Sequence, residues 1–205
     1  AKKGNDAANQ YRHVLKLDPA NPTAQHMLQT IEGRDRTSVA AGYATRHFNP
    51  YTNHMEDTLK GRLDFRTPEK IRRLVGDFLL EQWELSNLKP PVKDLDILDL
   101  GCGDGLNGAL YRGVSRKLTG CDLSPQLLEK ASEKALYDHL ENQGAVNYLG
   151  RGMSLYDVIL ATDILIYIGA LEGVFAGVAK RLHPAGLFAF SVEKQTGPDY
   201  TSGEN

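Results

Sequence analysis

The sequence has little cysteine and little excess charge. Two cysteines, Cys102 and Cys121, occur in 205 residues, which is too few for a disulfide framework and typical of a reducing compartment. We therefore expect a cytoplasmic protein. The 24 basic and 26 acidic side chains leave a net charge of -2, so no overall positive field attracts nucleic acid and we expect no nucleic-acid partner.

Long uninterrupted apolar runs are also scarce. The most promising stretch, residues 158–179, is interrupted by Asp163 and Glu172 and divided by Gly169. A buried strand followed by an amphipathic helix explains these letters better than a membrane span. The opening residues, AKKGNDAANQ, contain no apolar signal region, so we expect neither secretion nor a membrane partner.

Residues 1–34 predict two helices separated by a turn. Apolar residues recur at helical spacing on both sides of the segment LDPANP, whose prolines force a turn. The segment resembles the second helix of a tetratricopeptide repeat running into the first helix of the next, through Ala7, Tyr11, Leu15, Leu17-Asp18-Pro19 and Asn21. This resemblance implies a protein partner bound through repeats and a chain that begins within a repeat. A plain helical hairpin is the alternative.

Residues 35–91 predict a helical connector. The first part is polar and carries scattered aromatic residues, whereas Thr67 and Pro68 are typical of a helix start. An apolar stripe follows, formed by Ile71, Leu74, Val75, Phe78 and Leu79. The segment Lys89-Pro90-Pro91 ends the pattern, and we place a domain boundary there.

Residues 92–205 alternate short apolar runs with amphipathic stretches. Strands are predicted over 95–100, 117–123, 156–161 and 186–193, and helices over 105–116, 124–136 and 171–182. A further short strand is expected at 145–149 or just before it. Strands that alternate with helices pair in parallel, so we predict an α/β, doubly wound, mostly parallel Rossmann-like sheet.

A glycine-rich segment, DLGCGDG at residues 99–105, follows the first predicted strand. In a doubly wound sheet this turn lines the ligand crevice, and glycine lets a ligand lie against the backbone. A dinucleotide site has a third glycine at the position of Leu106. An NAD-dependent oxidoreductase is therefore disfavoured.

Asp122 stands at the end of the next predicted strand. A carboxylate there can accept hydrogen bonds from both ribose hydroxyls of an adenosine cofactor. The alternative is a structural acid that precedes the helix start at Ser124. NAD sites share this acid, so it indicates adenosine binding in general.

The acid followed by G-x-G-x-G resembles the first motif of class I S-adenosylmethionine-dependent methyltransferases. The resemblance implies S-adenosylmethionine as the cofactor, with Asp99 near its ammonium group, Asp122 at its ribose and Leu123 on its adenine. It also places Gly101, Cys102, Gly103 and Ala161 at the cofactor. No metal is implied. Cys102 has a plainer interpretation, a small side chain that fills space beneath the loop.

The order of segments resembles the bacterial predicted methyltransferases that contain tetratricopeptide repeats, through YATRHFNPYTNHMEDTLKGRLDFRTPEKI before the glycine loop. The resemblance implies that this segment folds over the cofactor, so Tyr51, Tyr43 and Arg66 are lid candidates. The Asn49-Pro50-Tyr51 triplet lacks the second proline of the motif in enzymes that methylate DNA amino groups, which disfavours that function.

Two features depart from the methyltransferase pattern. Gly144 stands near the place of the polar residue that contacts the adenine amino group, and Asn142 or Asn147 is the candidate substitute. The family fold also has two more strands after the fifth, so we expect a domain that is incomplete at its C-terminal end.

The sequence predicts a methyltransferase that acts on a small-molecule or protein acceptor. Methyl transfer needs alignment rather than a fixed catalytic triad, and the candidates near the acceptor are Asp163 and Tyr167. The alternative is an inactive methyltransferase-like module that binds partners through its helical repeats.

Overall fold

A parallel β-sheet forms the centre of the computed structural model, which describes residues 2–32, 66–85, 94–168 and 170–192. Its strands are β1 (Leu95–Leu100), β2 (Ser115–Asp122), β3 (His139–Asn142), β4 (Tyr156–Ala161) and β5 (Leu182–Phe190). The strand order is β3-β2-β1-β4-β5, and every neighbouring pair is parallel. The doubly wound parallel sheet predicted from the sequence is confirmed.

Helices precede the sheet and connect its strands. They are α1 (Lys2–Leu17), α2 (Pro22–Glu32), α3 (Thr67–Leu85), α4 (Leu106–Tyr111), α5 (Pro125–Glu133), α6 (Ala145–Arg151) and α7 (Glu172–Arg181), with a 3₁₀ turn at Leu165–Tyr167. Ser124 caps α5 through its side chain, which accepts a hydrogen bond from the Leu127 N–H. Because each strand-to-helix turn leaves the carboxyl end of a strand, these turns gather at one edge of the sheet.

Two apolar layers cover the two faces of the sheet. Leu98 and Leu100 of β1 belong to a cluster with Val174 and Val178 of α7. Ile97 lies on the other face, in a cluster that includes Ile71, Val75, Tyr111 and Leu118. Alternate residues of one strand therefore supply both layers, as burial on both faces of a parallel sheet requires.

Helix α3 packs through a narrower face than its sequence pattern predicts. Ile71 and Val75 are buried, whereas Leu74 and Phe78 of the same predicted stripe are 65% and 42% exposed. The helix contacts α4 and β5, so only the residues turned toward that contact are covered within the described part of the chain. Leu74 and Phe78 therefore belong to the predicted stripe but lie outside the part of it that the described residues cover.

Several element boundaries differ from the prediction. Helix α4 ends at Tyr111 because a turn, closed by the Val114 N–H on the Tyr111 carbonyl, leads directly into β2 at Ser115. Residues 145–149 belong to helix α6, and the short strand β3 stands just before it. Strand β5 begins at Leu182, with a register irregularity opposite Tyr156 and Val158.

The N-terminal helices pack on each other as predicted. Ala8 and Ala24 are buried, and Asn21 accepts a hydrogen bond from the Ala24 N–H at the start of α2. Arg12 and Glu32 join the two helices through an ion pair of 2.6 Å. Their identity as part of a repeat remains a prediction. Within the described ranges, no helix has both the length and the apolar character needed to cross a bilayer.

Candidate cofactor site

The candidate site lies where β1, β2 and β4 end. The strand order runs outward from β1 through β2 to β3 and in the opposite direction through β4 to β5, so the order reverses between β1 and β4. Ligands of open α/β sheets bind in the crevice outside the carboxyl ends of strands at such a point. The glycine loop, Asp122 and the residues after Ala161 all stand at this edge.

Hydrogen bonds to the end of β2, and one within the loop from the Gly105 N–H to the Cys102 carbonyl, fix the backbone from Gly101 to Gly105. The Gly101 and Cys102 N–H groups both donate to the Cys121 carbonyl, at 2.8 and 3.0 Å. Gly101, Gly103 and Gly105 have φ values of +66°, +54° and +92°. Side chains disfavour these values, so the G-x-G-x-G spacing is a requirement of the backbone shape.

The three loop glycines differ in the space that surrounds them. A Cβ added at Gly101 would clash with Ile164 Cγ2, and one added at Gly105 would lie 3.2 Å from the Tyr137 ring. A Cβ at Gly103 would meet no atom of the described residues within 4 Å. Among the described residues, Gly103 is therefore the loop glycine with open space beside it, whereas a Cβ at either of the other two would meet a protein side chain.

Asp122 is tied to the loop and keeps free acceptor capacity. Its carboxylate accepts the N–H of Gly103 at 3.1 Å and the N–H of Ser124 at 2.8 Å. A carboxylate has about four lone-pair positions, so acceptor positions remain for hydroxyl donors. Burial raises the pKa of Asp122, and the N–H groups of Ser124 and Gly103 oppose that rise. Asp122 therefore fixes Gly103 and keeps acceptor positions for a ribose, whose contact with this residue stays a prediction.

Asp99 is enclosed by protein. Its side chain is fully buried, and its carboxylate accepts the Tyr137 hydroxyl at 2.7 Å and the Asn107 Nδ2 at 2.9 Å. Burial raises the pKa of Asp99 to about 6, against the effect of these two hydrogen bonds. In this arrangement Asp99 holds the elements around the loop together and does not line the crevice.

The loop after β4 contributes the opposite wall. Ala161 is buried, and Thr162 Oγ1 accepts a second hydrogen bond from Asn107 Nδ2 at 3.1 Å. Asp163 has a positive φ of 58°, and its N–H donates to Ser191 Oγ at 2.7 Å. Positive φ in a non-glycine residue is uncommon and concentrates at functional sites. Tyr167 follows in the 3₁₀ turn, half-buried.

The predicted adenine residues lie next to one another. Leu123 follows Asp122, and a Cβ added at Gly144 would lie 3.3 Å from Leu123 Cδ2. Asn142 turns its Nδ2 to the Asp122 carbonyl at 3.0 Å. Cys102 is buried, which raises the pKa of its thiol, and its sulfur lies beside Gly120. A buried thiol with a raised pKa is unsuited to nucleophilic chemistry.

Of the three lid candidates, the structure describes only Arg66. Tyr43 and Tyr51 lie outside the described residues. Arg66 is exposed, and its carbonyl accepts the Lys70 N–H at the start of α3. Among the described residues, no group of three or more His, Cys, Asp or Glu side chains is placed to hold a metal.

The sequence did not predict the residues that hydrogen-bond one another beneath the glycine loop. Asn107, Tyr137 and Thr162 hydrogen-bond Asp99 or one another, but their roles depend on contacts between distant segments. A polar Asn in the first turn of the helix after the loop was the available signal. It is buried there, which calls for a hydrogen-bond partner.

Residues 98–188 match a family model described as a methyltransferase domain. A solved structure of an S-adenosylmethionine-dependent methyltransferase from Clostridium acetobutylicum is 25% identical with a TM-score of 0.54, and the match covers 69% of this chain and 57% of that one. The chain has the methyltransferase fold. These comparisons support S-adenosylmethionine as the cofactor of the fold.

Two curated relatives carry more specific names. A ubiquinone biosynthesis O-methyltransferase from Rickettsia conorii is 24% identical over 174 residues, covering 78% of this chain and 58% of that protein. A malonyl-[acyl-carrier protein] O-methyltransferase from Pectobacterium atrosepticum is 28% identical over 123 residues, covering 60% of this chain and 46% of that protein. The chain thus spans about half the length of these methyltransferases.

Proposed function

We propose that this protein is an S-adenosylmethionine-dependent methyltransferase whose acceptor atom is an oxygen of a small molecule or a protein. The observation that carries the proposal is the open backbone at Gly103, fixed by the carboxylate of Asp122 at the switch point of the sheet. The names of the relatives support oxygen as the acceptor atom.

The cofactor would lie along the loop, with its ribose at Asp122 and its adenine against Leu123. When bound, S-adenosylmethionine would supply an activated methyl group for transfer to the acceptor oxygen, with S-adenosylhomocysteine as the leaving group and the acceptor proton passing to solvent once the transfer is complete. The chain has to align the acceptor and exclude water. Asp163 and Tyr167, at the β4 end, are the proposed acceptor-side residues.

The remaining proposals concern the segments outside the sheet. Residues 1–34 would serve as a helical fragment of a repeat that binds a protein partner, and residues 35–91 would serve as a connector and lid. Tyr43, Tyr51 and Arg66 are the proposed lid residues. A domain within residues 92–205 would hold the cofactor.

Calorimetric titration of S-adenosylmethionine and S-adenosylhomocysteine tests the proposal. We expect binding of both, weakened at least about tenfold by Asp122→Ala, because ribose hydroxyls would lose a charged acceptor. Asp157→Ala is the matched control, since Asp157 also accepts a backbone N–H, from Asp96 at 2.8 Å, but at the amino end of the strands. The control should bind normally.

The other outcomes separate the alternatives. Binding of NADH without S-adenosylmethionine would favour an oxidoreductase. Tight binding of S-adenosylhomocysteine with no methyl transfer to any oxygen acceptor would favour the binding-module alternative. Failure of a folded sample to bind any of these ligands would contradict the proposed function.

A further inference from the structure

Tyr137 occupies a slot whose walls are glycines. A Cβ added at Gly105, Gly108 or Gly120 would lie 3.2, 2.6 or 3.0 Å from its ring carbons. These glycines come from the end of the cofactor loop, from α4 and from β2. A ring that contacts all of them must be held at a fixed position relative to the loop, because larger side chains on any wall would displace it.

The hydroxyl of Tyr137 extends this contact into a buried hydrogen-bond network. It donates to Asp99 at 2.7 Å, Asn107 Nδ2 donates to the same carboxylate at 2.9 Å, and Asn107 Nδ2 also donates to Thr162 Oγ1 at 3.1 Å. The network therefore connects the segment before β3, the end of β1, helix α4 and the loop after β4. Those elements frame the two walls of the crevice.

We propose that Tyr137 is a positioning residue that sets the cofactor loop and the loop after β4 relative to each other. The ring supports Gly105 from behind, and the hydroxyl fixes Asp99, through which Asn107 and Thr162 are aligned. This inference rests on the proposed function, because the ligand whose affinity reports it is S-adenosylhomocysteine.

The test compares two tyrosine variants. Tyr137→Phe removes the hydrogen bond to Asp99 and leaves the ring in its slot. Tyr148→Phe is the matched control, since its hydroxyl is 2.8 Å from the Tyr156 hydroxyl, at the amino end of β4 and away from the crevice. Both variants lose one phenol hydrogen bond. We expect Tyr137→Phe to weaken S-adenosylhomocysteine binding about tenfold, as for other hydrogen bonds to a charged group, and Tyr148→Phe to leave it unchanged.

The pH dependence of S-adenosylhomocysteine binding distinguishes a positioning role from a loss of stability. Besides Tyr137, the described titratable and charged groups around Asp99 are Asp122, Cys102, Cys121 and Tyr111, with Arg72 over the Tyr111 ring. All remain in both variants. Removing a donor from the Asp99 carboxylate favours its protonated form, so the acid limb of binding should move to higher pH in Tyr137→Phe only. An unmoved limb together with wild-type affinity would overturn the proposal.

Amide hydrogen exchange tests the effect of Tyr137 on the cofactor loop in the protein without ligand. The Gly103 N–H, which donates to Asp122, should exchange faster in Tyr137→Phe than in wild type and be unchanged in Tyr148→Phe. If the wild type binds no S-adenosylhomocysteine, the proposed function fails while this measurement still decides the role of Tyr137. Equal exchange in all three proteins would count against the inference.

Gly108→Ala tests the contact between α4 and the Tyr137 ring. Alanine favours a helix over glycine, but its Cβ would press on the Tyr137 ring. We expect the single variant to weaken binding, and the same change to have a smaller effect in a Tyr137→Ser background, where the ring is gone. Additive effects of the two substitutions would contradict contact-mediated positioning.

Discussion

Gly101 and Gly103 stand two residues apart in the loop but face different surroundings. A Cβ at Gly101 would clash with Ile164, whereas one at Gly103 would enter open space within the described part of the chain. Both have positive φ, so alanine costs on the order of 1 kcal/mol of backbone strain at either position. The difference between the two sites is therefore one of contact, and the sequence motif alone does not reveal it.

This contrast predicts that Gly101→Ala impairs mainly stability and that Gly103→Ala impairs mainly ligand binding. Gly101→Ala should lower the free energy of unfolding by about 3 kcal/mol, because overpacking against Ile164 adds to the strain. Gly103→Ala should lower it by about 1 kcal/mol yet block S-adenosylhomocysteine binding, because the new methyl occupies the open side. Urea denaturation and calorimetry measure the two effects. Ile164→Ala should partly rescue Gly101→Ala; equal stability of the two glycine variants would refute the assignment.

Asp99 is a residue that burial makes costly to ionise. Its pKa is near 3.8 when unfolded and about 6 in the folded protein, so between these values the folded state binds more protons. Folding stability therefore falls as pH rises through this window, and the cost is constant above about pH 6. A shift of about two units corresponds to roughly 3 kcal/mol at neutral pH.

Asp99→Asn removes this titration. Relative to wild type, the free energy of unfolding of the variant should rise by roughly 2 kcal/mol between pH 4 and pH 7, in addition to a pH-independent cost of the lost hydrogen bonds. Chemical denaturation at several pH values measures the difference. Parallel stability curves for the two proteins would mean that Asp99 titrates alike in the folded and unfolded states.

At the scale of elements, Arg181 joins two helices. The side chain is 3% exposed at the end of α7, and it donates to the carbonyls of Ser154, Tyr148 and Leu149 at 2.6, 3.3 and 3.4 Å. It also lies over the rings of Tyr148 and Tyr156. These carbonyls come from the last turn of α6 and the segment after it, which helix geometry leaves without partners.

Arg181→Met should lower the unfolding free energy by about 2–4 kcal/mol, because buried carbonyls lose their donor. Arg181→Lys should recover only part of that loss, because an ammonium lacks the planar fork. Lys180→Met, at the exposed neighbouring position, is the control and should change stability by no more than about 0.5 kcal/mol. Urea denaturation measures these values, and S-adenosylhomocysteine affinity should be unchanged in all of them.

Strand β5 illustrates what local patterns miss at this scale. Pro184 and Gly186 predict a turn, so the expected strand begins at Gly186. In the structure β5 begins at Leu182, and a register irregularity with Ala185 at φ +65° carries the chain past the proline. An irregular edge tolerates proline because the missing N–H donor leaves no ladder partner unsatisfied there.

At the scale of the whole molecule, strand order sets the pattern of protection. Among the described strands, β1 pairs with β2 and β4 and is buried on both faces, whereas β3 pairs only with β2 and is half-buried. Native-state hydrogen exchange should therefore be slowest at Leu98 and Ile159 and on the order of a hundredfold faster at Leu140 and Glu141. Equal protection of β1 and β3 would contradict this order of stability.

The sequence by itself determined the alternation of strands and helices, the parallel sheet and the glycine loop. These depend on periodicity and on backbone angles, which are local properties of the chain. It also placed Asp122 at the carboxyl end of the second strand, where the crevice of such a sheet lies.

Only the tertiary structure decided what each loop residue contacts. Asp99 was expected near a ligand, but Tyr137 and Asn107, brought from later segments, enclose it. The glycines at 105, 108 and 120 admit the Tyr137 ring, a fact that no local pattern contains. Packing between segments far apart in sequence depends on which side chains share a volume, and that is settled only when the sheet assembles.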